Sequence, residues 1–422
     1  MKPAMKPAMN PAINPAINPI VIIGGGHAAA QLCGSLVEAQ QGARIHLVCE
    51  EAELPYQRPP LSKAFLKAPD QALQPHRPEA WYAEAGITLH RGDAATAIDR
   101  ERRVVTLASG GELPYESLVF ATGARPRRLP SLPETLANVH VLRSAADAAT
   151  LRERLIPDQR LTVLGGGFIG LEIAATARAL GLDVQVLESA PRLLARSVSV
   201  EISEHVRASH LAAGVDLRLG VRVGEFEIEA DRLVALQVDG ERVAIDWLVL
   251  GIGAAPETTL AEAAGLEVEN GIVVDACMRT SDPSILAIGD CSNFPEAHSA
   301  RRLRLESVQN ANDQARTAVS TLLGNAVPYS ALPWFWSEQG ALRLQMAGLM
   351  PPDTTIHRRP SANPASAASS FSLFHYLGDK LVCVESVNAP MDHIMSRKII
   401  EAGKHPLPAQ VSDPAVALKT LV

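Results

Sequence analysis

The sequence predicts an α/β protein with two doubly wound, Rossmann-like dinucleotide-binding units and a separate α+β module at its C-terminal end. Three observations carry this. A strand, glycine loop, helix and second strand occur in that order at Ile20–Glu50 and again at Leu161–Glu188, about 140 residues apart. Further strand-like runs bounded by turns lie between and after the two copies. Beyond Val327 the texture changes to Pro- and aromatic-rich sequence, with Pro333, Trp334, Phe335 and Trp336 in succession. A chain of 422 residues exceeds one ordinary core, since domains run about 100–200 residues.

Composition narrows the classes. Charged residues are 20% and hydrophobic ones 47%, with a formal charge of −7, which describes a globular, mildly acidic protein. No basic excess points to nucleic acid, and no apolar run reaches the roughly 18 residues of a membrane span. The cysteines Cys33, Cys49, Cys277, Cys291 and Cys383 include no C-x-x-C pair and no metal-ligand spacing. Neither a disulfide framework nor a metal site is expected, and such usage suits a cytoplasmic protein.

In chain order, the first nineteen residues are five near-copies of a four-residue unit, with Pro3, Pro7, Pro11, Pro15 and Pro19 evenly spaced. Prolines at that interval exclude a helix and interrupt any secretory apolar core, so a flexible tail is expected. Ile20 starts the first βαβ unit, whose second strand, Arg44–Val48, ends in acid. Arg103–Leu107 with Ser117–Ala121, and Leu233–Val238 with Val243–Leu250, read as the remaining edges of the two α/β sheets. Phe371–Tyr376 and Lys380–Val387 read as strands of the last domain, Pro360–Ser370 as a loop, and the residues from about Gly403 as a frayed end.

The glycine spacing has a physical cause. In VIIGGGHAAA, Gly24, Gly26 and Ala29 fit G-x-G-x-x-G/A between a strand and a helix. The first glycine makes the turn, the second lets backbone N–H groups approach a pyrophosphate, and the small third residue lets the helix pack on the strand. The helix N-terminus, with His27 and Ala28, adds a positive dipole end. Glu50, 26 positions after Gly24, can accept from ribose hydroxyls. In VLGGGFIGLE the matching residues are Gly165, Gly167 and Gly170 around Phe168 and Ile169, with Glu188 closing the next strand. An acid there favours NADH over NADPH, although the nearby Arg192 leaves the alternative open. Two such loops imply two dinucleotides, one of them a flavin.

These loops stand in order with PYQRPPLSKAFL (Pro55–Leu66), FATGARPRRLP (Phe120–Pro130), GIGAAP (Gly251–Pro256), AIGDC (Ala287–Cys291), RLESVQNANDQA (Arg304–Ala315) and PWFWSEQ (Pro333–Gln339). Together they resemble the NADH-dependent ferredoxin reductases of bacterial oxygenase systems, a family of glutathione-reductase-like fold. The resemblance implies an FAD domain (20–127 and 246–326) interrupted by an NAD domain (128–245), then a C-terminal domain (327–403) near the flavin and a tail (404–422). It implies FAD on the first loop and NADH on the second, the latter with Gly253 of GIGAAP. It places Arg58, Lys63, Thr122, Gly123 and Asp290 along FAD. It pairs Lys63 with Glu172 beside the flavin N5, and points the helix opened by Glu306, Ser307 and Val308 at the flavin pyrimidine edge. Trp336 would shield the ring.

The implied function is electron transfer from NADH through FAD to a 2Fe-2S ferredoxin, which feeds a terminal oxygenase. Arg301, Arg302 and Arg304 are the candidate contacts to an acidic ferredoxin. Rival readings are an NADH oxidase, a rubredoxin reductase, or a flavin-binding signalling protein like the apoptosis-inducing flavoproteins. A disulfide reductase would need a cysteine pair beside the flavin, and PPLSKAFL has none.

Overall fold

The computed structural model describes residues 18–299, 301–363, 365 and 369–422. The proline repeat at 1–17 and part of the Pro360–Ser370 loop lie outside the described residues. The first unit is a five-stranded parallel sheet. Its order is Ile285–Ala287, Ser117–Phe120, Ile20–Ile23, Ile45–Cys49 and Thr88–Arg91. Ile20–Ile23 lies at the centre with every side chain buried, which explains its uninterrupted apolar run: a parallel strand covered on both faces has no wet side. Helices His27–Glu38 and Val308–Leu322 pack on each other beside this sheet.

The second unit repeats the arrangement. Asp216–Leu219, Asp183–Glu188, Arg160–Leu164, Trp247–Leu250 and Val139–His140 form a parallel sheet in that order. Both glycine loops therefore leave the carboxyl end of a central strand, where ligands of such sheets bind. The third unit is a five-stranded antiparallel sheet ordered Trp334–Gln339, Leu342–Gly348, Lys380–Val387, Phe371–Leu377 and Thr355–Pro360. Helix Pro390–Glu401 packs on it.

Three expectations are corrected. Val104–Leu107 is not an edge of the first parallel sheet; it is the middle of a separate antiparallel meander with Ala95–Asp99 and Glu112–Pro114. Likewise Val243–Leu250 is two strands. Glu241–Ala244 closes a meander on Arg232–Val238, and after Ile245 and Asp246 the chain enters the parallel sheet as Trp247–Leu250. Alternating local sequence cannot tell which sheet a strand joins. The expected frayed end also differs: residues 408–412 and 418–420 form helical turns, and Val411 and Leu418 are buried in the C-terminal core.

Candidate active site

The two glycine loops share one geometry. Gly24 and Gly165 have φ of +123° and +111°, and a Cβ on them would lie 2.1 Å from the Ala121 oxygen and 2.4 Å from the Gly251 oxygen. Only glycine fits there. A Cβ on Gly26 would meet nothing within 4 Å, and one on Gly167 only the Gly251 oxygen at 3.8 Å. The second glycine of each loop thus fronts open space. At the third place a Cβ on Gly170 would sit 2.3 Å from the Gly165 oxygen, while Ala29 occupies the equivalent place fully buried. Helices start at His27 and Phe168, and neither N-cap glycine supplies a side chain to their leading N–H groups. Open space in front of uncapped N–H groups is a cradle that fits a pyrophosphate. Ala28 is buried beneath the first cradle; in the second, Phe168 packs on the Phe335 ring at 4.6 Å and Ile169 is half exposed.

The acids that follow the loops differ. Glu188 accepts from the backbone N–H groups of Gly166 (2.6 Å) and Ala190 (2.7 Å), which fixes its carboxylate at the second loop. Arg192 donates to the carbonyls of Val198 and Ala195 within its own turn. The guanidinium that kept NADPH open is thereby engaged elsewhere. Gly253 takes φ of +95° in the GIGAAP turn, where its carbonyl accepts from Arg127 N–H. Glu50 is exposed and ion-paired with Arg125, which also holds Glu257.

Lys63 and Glu172, 109 positions apart, meet at 2.6 Å. Glu172 is 4% exposed and its second oxygen accepts from Ser337 at 2.7 Å, while Ser62 donates to the same oxygen as Lys63. Lys63 also donates to the Pro59 carbonyl. Lys63 and Ser62 come from the turn after Pro59–Pro60, Glu172 from the second loop helix and Ser337 from the third sheet. A buried carboxylate with its acceptors filled can persist as an ion; alone it could not.

Asp290 pairs with Arg143 at 3.1 Å. Gly123, at φ +71°, lies against the same guanidinium, since a Cβ there would be 3.0 Å from it. Thr122 Oγ1 donates to the Glu257 carbonyl. Arg58 binds Glu51 at 2.7 Å and donates to the Arg143 carbonyl and the Tyr56 hydroxyl. Burial alone would raise Glu51, but Arg58 and hydrogen bonds from Tyr56 and the Ala145 N–H hold its carboxyl below the usual range. Arg58 is thus a brace between the extended Pro-Pro segment and residues 143–145.

Helix Val308–Leu322 is capped by Ser307, whose hydroxyl accepts from Asn310 N–H. That bond takes one of the helix's leading donors. Val308 and Trp336 line a cleft of about 460 Å³ together with His27, Pro59, Lys63 and His76. The three arginines before this helix do not form one patch. Arg304 is 10% exposed, bound to Glu306 and the Asp290 carbonyl. Arg301 and Arg302 are both exposed, Arg302 while donating to the carbonyls of Val274 and Asn293. The strand Arg301–Leu303 ends before Arg304, which turns inward, and spacing in sequence conceals this.

Sequence reasoning missed Arg143, Glu51, Ser62 and Ser337. The two serines stood inside motifs already singled out, yet nothing local announces that both reach Glu172. Burial pushes the Cys49 thiol up to about 12, so it is no thiolate at neutral pH, and all five cysteines are unpaired.

Two pyrophosphate cradles and one cleft ending in a part-buried lysine on a buried carboxylate define a two-dinucleotide oxidoreductase. The chain matches the Pyridine nucleotide-disulphide oxidoreductase family over residues 18–315 and the Reductase C-terminal family over 334–422. It is 42% identical to rhodocoxin reductase of Rhodococcus erythropolis over 405 residues, 96% of this chain and 94% of the relative. Its fold is similar to the ferredoxin reductase for the CYP199A2 system of Rhodopseudomonas palustris, with TM-score 0.91 and 43% identity over 96% of this chain and 99% of that one. It is also similar to the reductase of a covalent putidaredoxin reductase–putidaredoxin complex, with TM-score 0.90 and 39% identity over 96% and 98% of the chains. The chain belongs to the pyridine nucleotide-disulphide oxidoreductases, within their ferredoxin reductases of oxygenase systems. Its cofactors are FAD and NAD(H). No helix among the described residues is long and apolar enough to cross a membrane.

Proposed function

We propose that this flavoprotein works in the cytoplasm and passes electrons from NADH through FAD to a 2Fe-2S ferredoxin that feeds a terminal oxygenase. The observation that carries the reading is the Lys63–Glu172 pair joining the first loop's cleft to the second loop's helix. Bound FAD supplies the change from a two-electron hydride donor to one-electron acceptors. The protein's residues hold and orient. Backbone donors at Gly26, His27 and Ala28 take the FAD diphosphate and Glu50 its ribose, with Thr122, Gly123 and Asp290 along the middle of the cofactor. Arg58 keeps the extended segment in place. The helix N-terminus at Val308, entered through Glu306 and Ser307, stabilises negative charge at the pyrimidine edge, and Trp336 covers the ring. Gly165, Gly167, Phe168, Ile169, Gly170, Glu188 and Gly253 hold NADH. Lys63–Glu172 fixes the nicotinamide against the flavin, a positioning role that needs no proton relay.

Residues 20–127 with 246–326 form the FAD domain in this reading, 128–245 the NAD domain, and the third sheet the ring's cover. Arg301 and Arg302 offer positive charge to an acidic ferredoxin, with Arg304 bracing Glu306 beneath them. Anaerobic mixing tests the scheme: NADH should bleach the yellow protein quickly, and a 2Fe-2S ferredoxin should restore the colour quickly. Slow bleaching with a persistent long-wavelength band would favour a binding role, and a polypeptide that retains no flavin would end the reading. Arg302→Glu should slow ferredoxin turnover and flatten its salt dependence.

A further inference from the structure

One pair on the cleft wall is absent from the scheme above. His27, directly after the open Gly26, opens the first loop helix. His76 faces it with ring centroids 4.6 Å apart and planes at 82°, an edge-to-face contact. The two arrive from different directions. His76 belongs to a segment laid antiparallel on residues 55–57, with Gln57 N–H donating to the Gln74 carbonyl and His76 N–H to the Pro55 carbonyl. Residues 55–57 run on to Lys63. The Nε2 of His76 is buried and has no conventional hydrogen-bond partner.

We infer that His76 is a positioning residue of the flavin cleft, acting through His27. Resting on the flavin reading, it deepens that reading by assigning the residue that fixes the imidazole at the mouth of the first cradle. Without His76, the His27 side chain would be free to change rotamer above the open space at Gly26, where the FAD diphosphate must lie. Held edge-to-face, it is ordered before the cofactor arrives, so less freedom is lost on binding. Burial pushes His27 down to about 3, with His76, Arg58 and Arg143 adding to the shift, and His76 down to about 4, with Arg77 and Arg58 adding to it and the Tyr56 backbone opposing. The contact is therefore between two neutral rings at working pH and carries no repulsion.

The test compares His76→Leu, which removes ring edge and N–H, with His76→Phe, which keeps an aromatic edge. FAD affinity measured by flavin fluorescence in His76→Leu should fall about three- to tenfold, and the visible flavin band should shift. His76→Phe should recover part of both, while the melting temperature of each apoprotein stays that of wild type. Wild-type affinity and an unmoved band in both variants would overturn the inference. So would an affinity loss that merely tracks a lower apoprotein melting temperature. In either case the wild type still binds flavin and the wider reading stands; a wild type that retains no FAD removes both.

Discussion

One methyl group has opposite meanings at Gly24 and Gly26. At Gly24 it would collide with the Ala121 oxygen in a left-handed backbone, so Gly24→Ala should cost more than about 3 kcal/mol of folding stability. At Gly26 it would point into empty space, so Gly26→Ala should melt like wild type yet lose most of its FAD, read by flavin content beside denaturant unfolding. Equal destabilisation of the two would contradict the division of labour between the glycines. Glu172→Gln keeps the shape but leaves the Lys63 ammonium without its counter-charge. Flavin reduction by NADH should slow by roughly 10- to 100-fold with FAD still bound, as stopped-flow absorbance would show. The glycines were legible because a backbone requirement leaves a residue-type signature. Ser62 and Ser337 were not, because a serine serving a distant carboxylate looks like any other serine.

Among the elements, the C-terminal segment departs furthest from expectation. Its sequence is broken by Pro406, Pro408 and Pro414, yet Arg359, 7% exposed, donates to the carbonyls of Val411, Asp413 and Val416 and lies 3.4 Å from Asp392. One guanidinium from a neighbouring strand replaces the hydrogen bonds a regular element would make for itself. Arg359→Ala should cost about 2–4 kcal/mol locally by orphaning three carbonyls. Amide exchange across residues 408–420 should quicken while the two parallel sheets keep their protection; unchanged exchange would show that Val411 and Leu418 anchor the segment alone. The third sheet is tied to the second unit in the same way. His210 reaches Gln339 at 2.9 Å, and Glu385 accepts from the Ser199 N–H that opens helix Val200–Ala212.

Across the whole molecule, burial sets the response to acid. Desolvation holds His393, 2% exposed, at about 4, with Arg397 and Arg343 adding to the shift, and it holds His76 at about 4 and His27 at about 3. Each folded value lies below the ordinary 6.5, so the unfolded chain binds more protons once pH falls past 6.5. The stability these groups contribute is complete above that point and is lost on the way down to about 4, or to about 3 for His27. Each adds up to about 1.4 kcal/mol per pH unit in that window. Chemical unfolding at pH 7, 6 and 5 should show the decline, and His393→Leu should make it shallower; equal slopes would count against the neutral buried ring.

The two dinucleotide units, their glycines and their acids were determined by the sequence itself. Their chemistry lies within some thirty consecutive residues, and each turn leaves a local mark. Tertiary structure alone decided the rest: which meander a strand joins, which arginines reach the surface, and which serines and arginines satisfy Glu172 and Asp290. The Glu172 and Asp290 contacts join residues separated by more than a hundred positions, and no local pattern encodes which partner a buried charge will find.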